Sequence, residues 1–469
     1  MSRSRTGSGT GELLVEIQRG SAVPLHQQLE TGIRERIREG LLRADAVLPS
    51  SRALANDLGL SRGVVVEAYQ QLVAEGYLVS RTGGYTQVAQ TARAQPSTRA
   101  NHKPAGPPRI DFKYSRPDVT QFPRAAWLRS VRRVLNETPH RTFSYLSGQG
   151  APDLREALAD YLNRVRGTSA RPENMLICHG FAQGSRLLFQ VLAAAGYRKI
   201  ALEDPSDYDL RDVAVTAGLV VVGVPVLDSG VDVAALDRSG ADLVLVTAAH
   251  QMPIGAVASP ETRAALVEWA VRRNALILED DYDAEYRYDR EPIGAIQGLA
   301  PDRVVYAGTA SKTLAPGLRL GWLVLPDALV EPLAAAKLTD DRGSSVLDQL
   351  TFADFVARGE FDRHLRRMRP RYRNLRDLLV TQLADRLPDF EPVGVSAGLH
   401  LLTWLPPDLP AEAVVDAARA RDVGVYPLTP YWFTPPGPPG LVFGYGSLTE
   451  QAVAEGIDLL AGAVGTVRP

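Results

Sequence analysis

Between Pro24 and Val88 the apolar residues of this chain fall at helical spacing and then alternate. Leu25, Leu29, Ile33, Ile37 and Leu41 predict a helix beginning at Pro24 and ending at Gly40. Ser50 and Ser51 cap a second, short helix through Leu58, which Gly59 breaks; Ser61 caps a third running to about Glu75. Gly76–Ser80 and Tyr85–Val88 alternate around Gly83-Gly84 and predict a hairpin. From Ile110 the pattern changes. Continuous apolar runs at Met175–Cys178, Lys199–Leu202, Val220–Pro225, Leu243–Thr247, Leu276–Leu278 and Val304–Ala307 alternate with amphipathic stretches. Such runs suit strands buried on both faces of a mainly parallel sheet with helical crossovers. Long helical patterns follow residue 327, and a smaller α/β subdomain is expected near Leu399–Trp404 and Leu441–Tyr445.

The expected organisation is therefore a flexible N-terminus (1–20), three helices and a β-ribbon (21–89), a linker (90–109) and a large α/β domain (110–469). The linker has four prolines and no apolar period, and its Arg93, Arg99, Lys103 and Arg109 face no acid within it. At 469 residues the chain has room for more than one core. A formal charge of −2 gives no whole-chain sign of a nucleic-acid binder. The single cysteine, Cys178, excludes an internal disulfide framework and suits a reducing cytoplasm. The apolar run Leu13–Val15 is too short for a signal peptide, and no stretch reaches the length of a membrane span. A cytoplasmic protein without membrane contact is expected.

Within 24–90, seven arginines meet seven acids, so placement rather than charge carries the DNA argument. Arg52 opens the second helix, Arg62 the third, and Arg81-Thr82-Gly83 the ribbon tip, with Ser50, Ser51 and Ser61 at the helix starts. Helix N-termini and a wing are where phosphates and base edges are met. The stretch from Pro24-Leu25 through Leu48-Pro49-Ser50-Ser51-Arg52 and Ser61-Arg62 to Glu75-Gly76-Tyr77-Leu78 closely resembles the GntR-type winged helix-turn-helix, an α+β DNA-binding domain. It departs at Asp45, where glycine is usual, and at Gly63-Val64-Val65, where a threonine is usual.

The segment Val304 to Gly321 carries the most specific chemistry. An apolar strand ends in Gly308-Thr309-Ala310-Ser311-Lys312, and Arg319 follows inside a Pro-Gly turn. A desolvated lysine is a nucleophile for a carbonyl, while two hydroxyls and a guanidinium suit a phosphate beside it. Only five lysines stand among 52 basic residues, so one in this setting is informative. The stretch resembles the lysine motif of fold-type I aminotransferases, S-K-x-x-x-P-G-x-R-x-G, which bind pyridoxal 5′-phosphate (PLP) as a Schiff base.

That resemblance extends over about 360 residues and implies a set of roles. Phe181, Ala182 and Gln183, in the Gly180–Gly184 turn, would hold the phosphate at a helix N-terminus. Tyr208 would stack on the pyridine face, although its spacing from Pro205 is one residue longer than usual. His250 or Gln251 would take the place of the asparagine that contacts the phenolic oxygen. Asp280 would face the pyridine nitrogen and Tyr282 the phenolic oxygen. Tyr145 would reach phosphate in the partner subunit. Val442 stands where members that bind an α-carboxylate carry arginine, with Arg211 as a possible substitute. No metal site is expected.

The two resemblances together are those of the MocR family of transcriptional regulators. They imply a homodimer, head-to-tail and domain-swapped, on double-stranded DNA with paired half-sites. The absent arginine points to PLP itself as effector, in the manner of PdxR-type members that control vitamin B6 synthesis. An amino compound such as GABA or taurine is the competing effector, and a true aminotransferase with an accessory DNA-binding domain the competing class. The aminotransferase-like domain is expected to act as a sensor rather than an enzyme, with residues that would permit residual transamination.

Overall fold

Helix α1 (Leu25–Arg38) buries Leu29, Ile33 and Ile37, the face its spacing marks. Helix α2 (Ser51–Leu58) starts where Ser50 Oγ accepts from the Ala53 N–H at 3.2 Å, and ends at Gly59 with φ of 63°. Helix α3 (Arg62–Ala74) starts likewise, Ser61 Oγ accepting from the Val64 N–H at 3.4 Å. Strand β1 (Val47–Leu48), which no sequence expectation covers, joins the hairpin of β2 (Leu78–Arg81) and β3 (Tyr85–Val88) in a three-stranded sheet. Two residues are too few to show alternation. Leu29, Ile33, Leu54, Val65, Leu72, Leu78 and Val88 close this core together with Val15. Arg19 donates to the Gly59 carbonyl at 2.8 Å, so ordered contacts reach upstream of residue 21.

The computed structural model describes residues 15, 17–81, 85–90, 106–114, 116–288, 293–433 and 437–468. The chain divides into two compact units, Met1–Ala105 and Gly106–Pro469. In the second, β4 (Ile110–Asp111) pairs with Val423–Gly424 in a two-stranded sheet. The large sheet comprises β5 (Met175–Cys178), β6 (Lys199–Asp204), β7 (Val220–Leu227), β8 (Gly230–Val231), β9 (Leu243–Val246), β10 (Leu276–Asp280), β11 (Val304–Thr309) and β12 (Gly321–Val324). Their spatial order is β5-β12-β11-β10-β9-β6-β7-β8. Strands β7, β6, β9, β10 and β11 run parallel, whereas β12 lies antiparallel between β11 and β5. The sheet is mainly parallel, as its unbroken apolar runs predict.

Helices shield it on both faces. One core gathers Leu187, Leu188, Phe189 and Leu192 against Leu202, Leu245 and Leu278; another gathers Leu266 and Trp269 against Val244, Val246 and Ile277. The C-terminal subdomain is an antiparallel sheet of Glu391–Val393, His400–Trp404, Gly440–Gly444 and Tyr426–Pro427, in that spatial order. Among the described residues, no helix is long and apolar enough to cross a membrane.

Candidate functional site

The carboxyl ends of β5, β6, β9, β10 and β11 bring together residues distant in sequence, as ligand sites in open α/β sheets require. They enclose a cavity of about 270 Å³ lined by Phe181, Ala182, Asp280, Tyr282, Thr309, Ser311, Lys312 and Arg319. Burial lowers the pKa of the Lys312 ammonium, opposed by Asp280, Asp283 and Asp207. Burial raises the Asp280 carboxyl well above its ordinary range, and Asp281 adds to this. The first shift favours the uncharged amine that a nucleophile requires.

Thr309 Oγ1 lies 3.0 Å from Ser311 Oγ and accepts from the Ser311 N–H at 3.1 Å. Arg319, at φ of 51° after the turn Pro316–Leu318, donates to the His179 carbonyl at 2.7 Å. A Cβ on Gly180 would come within 3.2 Å of that guanidinium, so a larger residue there would crowd it. Helix α4 (Phe181–Ala194), a helix of the large unit, begins at this point with its N–H groups next to the arginine.

Tyr282 donates to the His250 carbonyl at 3.0 Å, and its hydroxyl lies 3.2 Å from His250 Nδ1. Burial raises its phenol well above the ordinary value. The His250 ring sits behind Tyr282, with Nδ1 3.0 Å from an Asp283 oxygen, and does not line the cavity. Gln251 does not line it either. Its amide donates to the Pro205 and Met252 carbonyls, both at 2.8 Å, and accepts from the Ile254 N–H at 3.0 Å. His250, Asp283 and His400 are buried together, with donor atoms within 4.8 Å of one another.

Five further residues that the sequence singles out also stand apart from the lining. The Gln183 amide donates to Asp340 and Asp341 at 2.7 and 2.9 Å, so only its backbone faces the helix start. Tyr208 is 37% exposed and packs edge-on against Tyr431, ring centroids 5.7 Å apart. Tyr145 is 89% exposed. Val442 is fully buried among Met252, Leu402, Leu428 and Tyr431. Arg211 is occupied as well: it donates to the Trp432 carbonyl at 2.9 Å and to that of Tyr431, with its guanidinium 3.6 Å from the Phe433 ring centre.

The lining also holds Glu203, Ser206, Asp207, Asp209, Leu210, Thr247 and Met252, none of which the sequence reading assigns. The position of Glu203–Tyr208 directly after a predicted strand is a signal for them, though it does not say which side chains turn inward. Glu203 accepts from Thr247 Oγ1 at 2.6 Å and from its N–H at 3.1 Å, and burial raises it to about 7.

In the first unit, Ser50, Ser51, Arg52, Arg62, Val66, Tyr69, Gln70, Ser80 and Thr86 line one groove of about 520 Å³. Arg52 and Arg62 are exposed. Ser61 is committed to capping α3. Arg81 ends β2, while Thr82 and Gly83 lie outside the described residues.

Residues 25–88 match the family described as bacterial regulatory proteins, gntR family, and residues 115–438 match aminotransferase class I and II. The probable rhizopine catabolism regulatory protein MocR of Rhizobium meliloti is 32% identical over 472 residues, 96% of each chain. The HTH-type pyridoxine biosynthesis transcriptional regulator PdxR of Corynebacterium glutamicum is 32% identical over 430 residues, 91% of this chain and 93% of that one. Among solved structures, an archaeal alanine:glyoxylate aminotransferase superposes with a TM-score of 0.70 at 26% identity, over 78% of this chain and 92% of that chain. The donor set fits PLP, the cofactor of this aminotransferase class: a desolvated lysine, a buried carboxyl, a phenol, and hydroxyls with an arginine at a helix start. With both signatures on one chain and such relatives aligned nearly end to end, the chain belongs to the MocR family of PLP-dependent, GntR-type transcriptional regulators.

Proposed function

We propose that this regulator senses PLP itself and serves in the control of vitamin B6 synthesis. The observation that carries the reading is the absence of a free arginine for an amino-acid carboxylate among the described residues lining the cavity. Val442 is sealed in the C-terminal core, and Arg211 is held on two carbonyls. A buried carboxylate without a partner costs several kcal/mol. The pyridoxine-biosynthesis name of one relative supports the same reading.

When bound, PLP supplies an aldehyde for an amine and an electron-accepting ring. The chain's own residues do the rest. Lys312 offers its amine, and Arg319, Thr309, Ser311 and the backbone at Phe181, Ala182 and Gln183 hold phosphate. Asp280 presents a carboxyl suited to the pyridine nitrogen. Tyr282 presents its hydroxyl to the phenolic oxygen, with His250 and Asp283 fixing that hydroxyl from behind and Gln251 bracing the turn. Tyr208 and Tyr145 lie at the surface of the unit, where closure or a partner subunit of a head-to-tail homodimer would bring them into use. Ser50, Ser51, Arg52, Ser61 and Arg62, with the wing at Arg81, Thr82 and Gly83, contact paired half-sites of an operator. PLP acts by differential affinity for two states of the protein.

The second reading is a sensor of an amino compound such as GABA or taurine, supported by the lysine and by a relative named for rhizopine catabolism. Efficient transamination is disfavoured by the same missing arginine. The test combines visible absorption with DNA binding to the chain's own upstream region. Cofactor-free protein should gain the lysine-bound pyridoxal band with PLP alone, and its DNA affinity should change with it. Lys312→Ala should abolish both. A DNA response that survives Lys312→Ala, or one that needs an added amine, would refute PLP sensing through Lys312.

A further inference from the structure

The charge of the cavity wall has a second consequence. Among its described lining residues the cations are Lys312 and Arg319, while Glu203, Asp207, Asp209 and Asp280 supply four carboxyl groups. Arg319 already donates to the His179 carbonyl and lies against Gly180. One oxygen of Glu203 is engaged by the Thr247 N–H and hydroxyl, and Asp280 belongs to the buried strand end. Asp207 and Asp209 come from a different segment, the start of helix α5 (Asp209–Thr216), where Asp207 accepts from the Asp209 N–H at 3.1 Å. Asp207 lines the same cavity as Lys312; burial raises its carboxyl above the ordinary range, opposed by the Asp209 N–H and by the Lys312 and Arg211 charges. A third cation, Arg211, stands near Asp207 but turns its fork onto the Tyr431 and Trp432 carbonyls.

We propose that the cavity selects amines by charge: Asp207, assisted by Asp209, admits a carboxylate-free or cationic amine and turns away amines that carry a carboxylate. Opposite charges attract and like charges repel most strongly where water is scarce, and a wall with two acids and no disengaged arginine applies both effects. The proposal rests on the cofactor reading above, since it takes Arg319 and its neighbouring hydroxyls as the phosphate end. It adds a function to that reading. A regulator answering to PLP must keep its lysine-bound cofactor from the large pool of free amino acids, and a carboxylate-repelling wall does this without a lid.

Putrescine and GABA are near-isosteres that differ in placing an ammonium or a carboxylate at the far end. The PLP-loaded full chain is titrated with each, followed by calorimetry and by operator binding as well as by the visible band. Putrescine should bind about ten-fold more tightly than GABA. Asp207→Asn should bring the two within about three-fold of each other, and Asp209→Asn should move them part of the way. If Asp207→Asn does not fold, the comparison of the two amines on the unaltered chain still decides. Equal or tighter binding of GABA, or binding of neither amine, overturns the proposal. So does GABA binding that disappears in Arg211→Ala, because that arginine would then be the carboxylate receptor. Failure of the visible band with PLP alone would instead remove the cofactor reading, and the proposal with it.

Discussion

Glu203, next to last in β6, sets a carboxylate oxygen 2.6 Å from Thr247 Oγ1, and burial raises its pKa to about 7. An unfolded glutamate titrates near 4.3, so the folded state binds this proton more tightly. The contribution to stability is therefore complete below about pH 4 and is lost as pH rises through about 7. Glu203→Gln, which cannot ionise, should gain stability relative to the unaltered chain between about pH 4.5 and 7, as thermal unfolding of the two proteins would show. A constant difference across that range would refute the shift. Lys312, Arg319, Thr309 and Ser311 were legible in the sequence because one unbroken stretch carries them and its spacing is specific. Asp207 and Glu203 were not, because inward orientation after a strand depends on how the next helix starts. Gln251 and Gln183 show the converse: their positions were marked, but local hydrogen bonds consume their side chains.

Serine caps, glycine stops and apolar spacing placed α1, α2 and α3, since each of those signals is local. Strand β1 escaped because two residues show no pattern of their own, whereas β12, as long as β5, went unassigned because it follows the lysine segment directly and is set antiparallel between β11 and β5. Ser50→Ala removes the bond to the Ala53 N–H and should lower the stability of the DNA-binding unit by about 1 kcal/mol. The turn before β1 offers a different probe. Asp45 holds φ of 63° and accepts from Gln87 and Gln90 side chains at 3.3 and 3.1 Å. Alanine would keep the left-handed backbone cost of about 1–2 kcal/mol and lose both bonds, so Asp45→Ala should destabilise this unit. Chemical denaturation of each variant, followed at the first unit, checks the sign; a neutral Asp45→Ala would mean that the two glutamines contribute nothing.

Each of the two units closes a core of its own, the first around Leu29, Val65 and Leu72 and the second around the large sheet. A chain beginning at Gly106 should therefore fold, take up PLP with the same visible band, and lose operator binding. A shortened chain without the band would show that the cofactor site needs the first unit. The order of strands also bears on how the protein is made. Strand β5, from whose end Gly180 departs, has β12 as its sheet neighbour, and β12 is completed only at Val324. A chain still emerging from the ribosome can assemble β6, β9, β10 and β11 from what has already been synthesised, yet β5 waits for its partner. The turn at Gly180 and the guanidinium of Arg319 meet only when β12 slots between β5 and β11. A chain that ends before Val324 thus lacks the strand that seats the Gly180 turn against Arg319, and the phosphate end of the cavity is among the last parts of the large sheet to be completed.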